Sequence, residues 1–283
     1  MRVGSQGCQN RGYNLLTFFI TLTIISYPML LTLKLVLSPL FIASVTLVGR
    51  RWGPGVSGWL MAFPLISGPI SILLALEHGP SFAAQAAVGT MQGQTSVCLF
   101  CLGYSLISRK AGWPSSLAAA LAAFLIATFL WNEFDPALLP TIAVDLVLVA
   151  FVLWLMPGRM DAAAAAIPPK WDLPARMLLA AFFVLVLTTA SSGLGPQLSG
   201  LLSPFPIFSS IIAPFTHIRQ GSAGVGQLLH GIVLGTFGLL AFYLVIYAML
   251  PVLPVGWTYL MASAVAIAVN VIALRFVPQA VST

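Results

Sequence analysis

Residues 53–100 and 195–242 say the same thing twice. The first stretch reads GPGVSGWLMAFPLISGPISILLALEHGPSFAAQAAVGTMQGQTSVCLF and the second GPQLSGLLSPFPIFSSIIAPFTHIRQGSAGVGQLLHGIVLGTFGLLAF, aligned without a gap at an offset of 142 residues. Fourteen of the 48 aligned positions are identical, among them Gly53/Gly195, Pro54/Pro196, Ser57/Ser199, Gly58/Gly200, Phe63/Phe205, Pro64/Pro206, Ser67/Ser209, Gly79/Gly221, Gln85/Gln227, Gly89/Gly231 and Gly93/Gly235. An apolar chain yields chance Leu and Ala matches. It does not by chance place Gly, Pro, Ser and Gln in one order at one spacing. A duplicated structural unit is expected, and the rest of the chain must be built around it.

The setting of that unit follows from charge. The 283 residues are 59% apolar and only 6% charged, where soluble domains carry about 25% charged residues. Too little polar surface exists to face water, so an all-α integral membrane protein is expected. The net charge of +6 is no nucleic-acid signal, because the charges lie in short loops between apolar runs without a basic stripe. Of the three cysteines, Cys8 stands alone. Cys98 and Cys101 share a helix face inside an apolar run, which fits packing better than redox or metal chemistry.

Nine apolar segments are long enough, or nearly so, to cross a bilayer: 31–49, 55–76, 81–107, 114–131, 137–156, 175–193, 197–218, 223–250 and 255–274. The breaks are Arg50 to Pro54, Glu77 to Pro80, Arg109 to Pro114, Trp131 to Pro136 and the long loop Pro157 to Pro174. Pro54 suits the first turn of a helix. With the side reached after the first span taken as inside, Arg50, Arg51, Arg109, Lys110, Arg159, Lys170, Arg176, Arg219 and Arg275 all lie inside, while Glu77, Glu133 and Asp135 lie outside. The positive-inside rule then makes the carboxyl terminus cytoplasmic. Lys34 and Arg176, near helix ends, are expected to extend their charges to the interface.

Residues 1–30 have no counterpart in the second half. Tyr13 to Tyr27 is open to three readings: a signal peptide lacking a small-residue cleavage site, a tenth span, or sequence upstream of a true start at Met29. The remaining chain divides into repeat unit 1 (31–131), a connector with one span and a loop (132–174), and repeat unit 2 (175–283). The offset maps spans 1 to 4 onto spans 6 to 9. An odd number of spans separates equivalent helices, so the units must face opposite ways. Two inverted-topology four-helix repeats joined by a connecting helix are expected, an architecture that recurs in secondary transporters.

Phe63-Pro64 and Phe205-Pro206 lie near the middle of equivalent spans, where proline removes a backbone hydrogen bond. Pro69 and Pro214 are expected to add a second break to each. Freed backbone groups, with Ser67, Gly68, Ser209 and Ser210, would then form a midplane site; a kinked helix sealed locally by serine is the plainer reading. Gly89-x-x-x-Gly93 and Gly231-x-x-x-Gly235 are packing motifs. Gln85, Gln92 and Gln227 are costly in lipid and are expected to face a wet cavity or one another. Asp145 and His230 are candidates for proton or ion coupling; the alternatives are an interfacial carboxylate, shallow from the outer face, and a neutral core imidazole. Asn270 reads as interhelical glue. No catalytic motif, metal-ligand cluster or phosphate-binding loop is present in the sequence, so no enzyme, cofactor or metal is expected.

The segment Gly200-Leu201-Leu202-Ser203-Pro204-Phe205-Pro206-Ile207-Phe208, followed by Gly221, Gly231 and Gly235, resembles the GlpM-like family of small bacterial inner-membrane proteins over about one repeat. The resemblance implies a multi-pass protein of the bacterial inner membrane that arose by duplication of a small dual-topology ancestor. It implies no substrate and no catalytic residue. The function expected is a permease for an unidentified small solute, alternating access about the broken helices. A non-transporting scaffold or regulatory protein, and a lipid- or polyprenyl-handling protein, are the alternatives. The partners expected are the lipid bilayer and a small solute, with a homo-oligomer left open and no nucleic acid.

Overall fold

The structure, a computed structural model, describes residues 35–65, 67–134, 137–156, 168–193 and 205–277. The segment 1–30, Lys34, the loop after Met156 and the repeat positions Gly195 to Gly200 lie outside the described residues. Among those described, the chain is helical: α1 (Leu35–Trp52), α2 (Pro54–Met61), α3 (Ser67–His78), α4 (Pro80–Ile107), α5 (Trp113–Phe134), α6 (Leu138–Leu155), α7 (Asp172–Gly193), α8 (Ile207–Met249) and α9 (Val255–Leu274). Five of these, α1, α5, α6, α8 and α9, are long and apolar enough to cross a membrane. Their outward faces are apolar: on α6, Leu139, Val147 and Trp154 are all more than 70% exposed. Such faces suit lipid and not water. The chain is an all-α protein of the membrane-embedded, multi-pass kind.

Glycine and proline set the breaks. Gly53 (φ 92°, ψ 163°) and Gly79 (φ 90°, ψ 162°) each precede a helix that opens with proline, Pro54 for α2 and Pro80 for α4. Only glycine adopts this backbone readily, and proline's missing N–H is harmless in a first turn. Gly221, 142 residues after Gly79, takes a related conformation (φ 66°, ψ −166°) and interrupts α8. A straight helix of 43 residues would run about 65 Å, roughly twice the hydrocarbon thickness. Gly221 divides it into a first arm, 207–220, and a second arm, 222–249.

The second arm of α8 is the centre of the molecule. It packs against α2, α4 and α9, while α5 lies along α4 much as α9 lies along α8. The α2 contact is close enough to need glycine on both sides. A β-carbon on Gly58 would overlap the Leu228 carbonyl, one on Gly231 would overlap the Gly55 carbonyl, and one on Gly235 would lie 2.8 Å from the Trp59 carbonyl oxygen. The Gly231/Gly235 spacing is thus a packing seam. The matching Gly89 is not: it is exposed, with open space where its β-carbon would stand. The same pattern serves two purposes because burial differs, not sequence. Trp59 Nε1 also donates to the Asn270 carbonyl at 3.0 Å, tying α2 to α9.

Three expectations need correction. Pro69 sits in the first turn of α3, where no intrahelical bond is lost, so it makes no second break. Pro214 lies inside α8, and Gly221 is the residue of non-helical backbone in that helix. Arg176 does not extend to the interface; it is 7% exposed and paired with Asp172.

The seam predicts a contrast. Gly231→Ala should destabilise by about 1–3 kcal/mol through overpacking. Gly89→Ala should be neutral or stabilising by up to about 1 kcal/mol. Thermal unfolding of both variants in detergent measures the difference.

Candidate functional site

The two Phe-Pro steps fold alike. Between α2 and α3, Leu65 N–H donates to the Phe63 carbonyl at 2.8 Å and Gly68 N–H to the Pro64 carbonyl at 2.9 Å. At the start of α8, Ile207 N–H donates to the Phe205 carbonyl at 2.8 Å and Ser210 N–H to the Pro206 carbonyl at 2.9 Å. Each bond has its partner 142 residues away. Pro206 has φ −78° and ψ 60°, the values of an inverse γ-turn. Proline supplies the fixed φ, and the three-residue bond satisfies a carbonyl that a broken helix would leave open. The first step is a true helix break, between the end of α2 at Met61 and the start of α3 at Ser67. The second is a helix start, since the residues just before Phe205 lie outside the described part.

Aromatic side chains hold these turns. Phe63 meets Trp59 edge-on at 4.9 Å, and Phe205 meets Phe124 of α5 edge-on at 5.9 Å. Gly68 is buried, with room for a β-carbon 3.5 Å from the Phe242 ring. The Ser67 hydroxyl reaches the phenol of Tyr243. Ser209 and Ser210 are buried on α8, and Ser210 Oγ has no hydrogen-bond partner.

A second group of polar residues lies where α4, α6 and the second arm of α8 meet. Asp145 of α6 is 3% exposed. Its Oδ1 accepts a hydrogen bond from the Thr95 hydroxyl of α4, and its Oδ2 has no hydrogen-bond partner among the described residues. Gln94, Asp145, Val149, Thr236, Phe237 and Leu240 line a cavity of about 10 Å³. It is a shallow, partly open pocket with an apolar wall, no larger than one water and too small for an organic solute. Gln94 and Thr236 are repeat-equivalent, as are Thr95 and Phe237. The Cys98 thiol reaches the Thr236 hydroxyl from α4, and Cys98 and Cys101 are both fully buried.

The other expected residues scatter. Gln85 is exposed on α4, whereas Gln227 and Gln92 are buried at 7% and 8%. The repeat-related glutamines therefore do not share a wet cavity. His230 is buried and its Nδ1 has no hydrogen-bond partner, but it does not line the Asp145 cavity. Asp145 is buried because α4 and α8 pack over it, which counting along α6 does not reveal. Thr95 as the partner of Asp145, and Gln94 and Thr236 in the same pocket, were not foreseen. The signal for two of them was present in the 142-residue offset. Among the described residues no group of three or more His, Cys, Asp or Glu could hold a metal ion.

Among known proteins the chain matches no family model, no curated protein and no solved structure. The fold and the site define a class and nothing narrower: an all-α, multi-pass membrane protein with a buried carboxylate at the meeting of three helices.

Burial sets a labelling prediction. In a Cys8→Ser variant, a membrane-impermeant maleimide should leave Cys98 and Cys101 unmodified in the native state and modify both after denaturation. Mass spectrometry of the intact chain reads this directly.

Proposed function

We propose that this protein is a secondary permease for a small solute, with Asp145 as the group that couples transport to a proton or cation gradient. The observation that carries it is the buried Asp145 carboxylate, one oxygen bound by Thr95 and the other without a hydrogen-bond partner among the described residues. An ionisable group within a membrane span is costly and marks ion or proton pathways. Its place matters as much as its charge. Gln94 and Thr236 flank it from equivalent positions of the two repeats, so the carboxylate stands near the axis about which inverted halves would rock.

In this proposal the chain crosses the bilayer nine times from residue 31. α2 and α3 together form one broken span, and the two arms of α8 form two. The matched Phe-Pro turns and the paired breaks at Gly79 and Gly221 support an inverted repeat of four-helix units, in keeping with the GlpM-like resemblance. That resemblance favours a bacterial inner membrane, and the loop charges favour a carboxyl terminus in the cytoplasm. A pocket this small must widen for a solute to pass.

Reconstitution into liposomes tests this against a solute panel under proton or sodium gradients. Gradient-driven uptake of at least one solute is expected. Asp145→Asn should reduce it to the level of empty liposomes while leaving thermal stability within about 1 kcal/mol, since a neutral amide retains a partner for Thr95. Full transport by Asp145→Asn would rule out coupling through this residue. Full transport by Pro64→Ala combined with Pro206→Ala would remove the turns from the mechanism.

The tight interior also favours a second reading, a non-transporting scaffold. It predicts that Cys98 stays protected from maleimide under every gradient and solute. A permease must expose it in at least one condition.

A further inference from the structure

One cluster of charge takes no part in that proposal. Asp172, at the start of α7, is fully buried. Three arginines from three helices surround it. Arg50 at the end of α1 donates from Nη2 to Oδ2 at 2.9 Å. Arg176 of α7 donates from Nη2 to Oδ1 at 3.3 Å, and its Nε lies 3.1 Å from Oδ2 without the alignment of a hydrogen bond. Arg219, at the end of the first arm of α8, brings Nε to 3.7 Å from Oδ1, within ion-pair range but beyond hydrogen-bond range.

The charges do not balance. Among the described residues three guanidiniums face one carboxylate, which leaves the cluster with two positive charges in excess. The hydrogen bonds do not balance either. A guanidinium carries about five N–H donors and a carboxylate about four acceptor sites, so one carboxylate cannot serve three arginines. Gathering like charges at a partly buried helix end is unfavourable unless a further anion joins them. An ion pair built only for stability would need one arginine, or two.

The cluster is also open on one side. The Asp172 and Arg176 side chains are 1% and 8% exposed, but those of Arg219 and Arg50 are 21% and 34% exposed. The inner two groups are thus enclosed, and the outer two keep part of their surface accessible. Arg176 is further held over the Phe215 ring at 4.7 Å, and Arg219 lies 5.8 Å from the ring of Trp171. Trp171 is itself 61% exposed, as a tryptophan at the membrane–water boundary would be.

We propose that Arg50, Arg176 and Arg219 form a binding site for a phosphate-bearing anion, with Asp172 orienting the arginines from within. A tetrahedral phosphate offers several oxygens to the planar forks of separate arginines, which a single carboxylate cannot do. Such a phosphate comes from the headgroup of an anionic lipid or from a soluble phosphate. Basic pockets between membrane helices take lipid headgroups in this way. The site is remote in role from Asp145 and does not depend on the protein being a permease.

Binding to the purified, delipidated full chain tests the proposal, with transport not measured. The probes are dioleoylphosphatidylglycerol, dioleoylphosphatidylcholine and sodium phosphate against sodium chloride at equal ionic strength. Native mass spectrometry reads lipid retention and thermal unfolding reads stabilisation by each anion. We expect phosphatidylglycerol to be retained over phosphatidylcholine, and Arg219→Gln and Arg50→Gln each to weaken that retention about tenfold. Asp172→Asn should bind the anion more tightly, and its lost stability should return when the anion is added. Stabilisation by sodium phosphate alone, abolished in Arg219→Gln, would assign the site to a soluble phosphate. Equal retention of both lipids together with no phosphate effect would overturn the proposal. So would lipid and phosphate responses in Arg219→Gln and Arg50→Gln that match the unaltered chain. Should Asp172→Asn fail to fold, the two arginine variants decide alone.

Discussion

Where α2 crosses the second arm of α8, backbone touches backbone. The Leu228 carbonyl stands where a β-carbon on Gly58 would be, and the Gly55 carbonyl where one on Gly231 would be. In lipid, helices gain little by hiding apolar side chains from surroundings equally apolar. Close approach through small residues, with its dense van der Waals contact, must hold them instead. This seam joins the first half of the chain to the second. Trp59 bonding to the Asn270 carbonyl and Ser71 bonding to Tyr259 at 2.7 Å extend the joint to α9. The position of Asp145 depends on it, because α4 and α8 must be held together to enclose a residue of α6.

The same constraint governs the helix breaks. An unpaired backbone group in hydrocarbon costs several kcal/mol, so a span can be interrupted only where protein covers the gap. The breaks obey this. The Phe63–Leu65 bond and its counterpart at Phe205–Ile207 satisfy carbonyls inside the turn itself, and Trp59 and Phe124 cover the two turns from neighbouring elements. Proline here does not loosen the chain. It selects a short, self-satisfied turn that can recur at the same place in both halves.

This explains what the sequence revealed and what it withheld. Gly79 and Gly221 were legible as breaks because a glycine at an equivalent place between apolar runs has few other uses. Pro54, at the first turn of α2, was legible for the same reason. Pro69 misled, because proline's effect depends on its distance from the helix start, and that start was unknown until α3 was seen; Pro214 misled because α8 runs on past it to Gly221. Gln85 and Gln227 misled more deeply. Identical residues at equivalent positions were expected in equivalent surroundings, yet one is exposed and the other buried. Burial is a property of the neighbours, and the connector gives the two units different neighbours.

That asymmetry bears on how such a chain acquires chemistry. Asp145 and Asp172 are the buried carboxylates among the described residues, whereas Glu77 and Glu133 are exposed. Both buried ones fall in the segment 132–174, which the repeat does not duplicate. Asp145 on α6 lies in one pocket with Gln94 of α4 and Thr236 of α8. Asp172 opens α7 and is met by Arg50 of α1 and Arg219 of α8. Each carboxylate therefore sits where helices far apart in sequence come together. A second carboxylate beside either would raise the cost of both, whereas the arginines around Asp172 lower the cost of burying it.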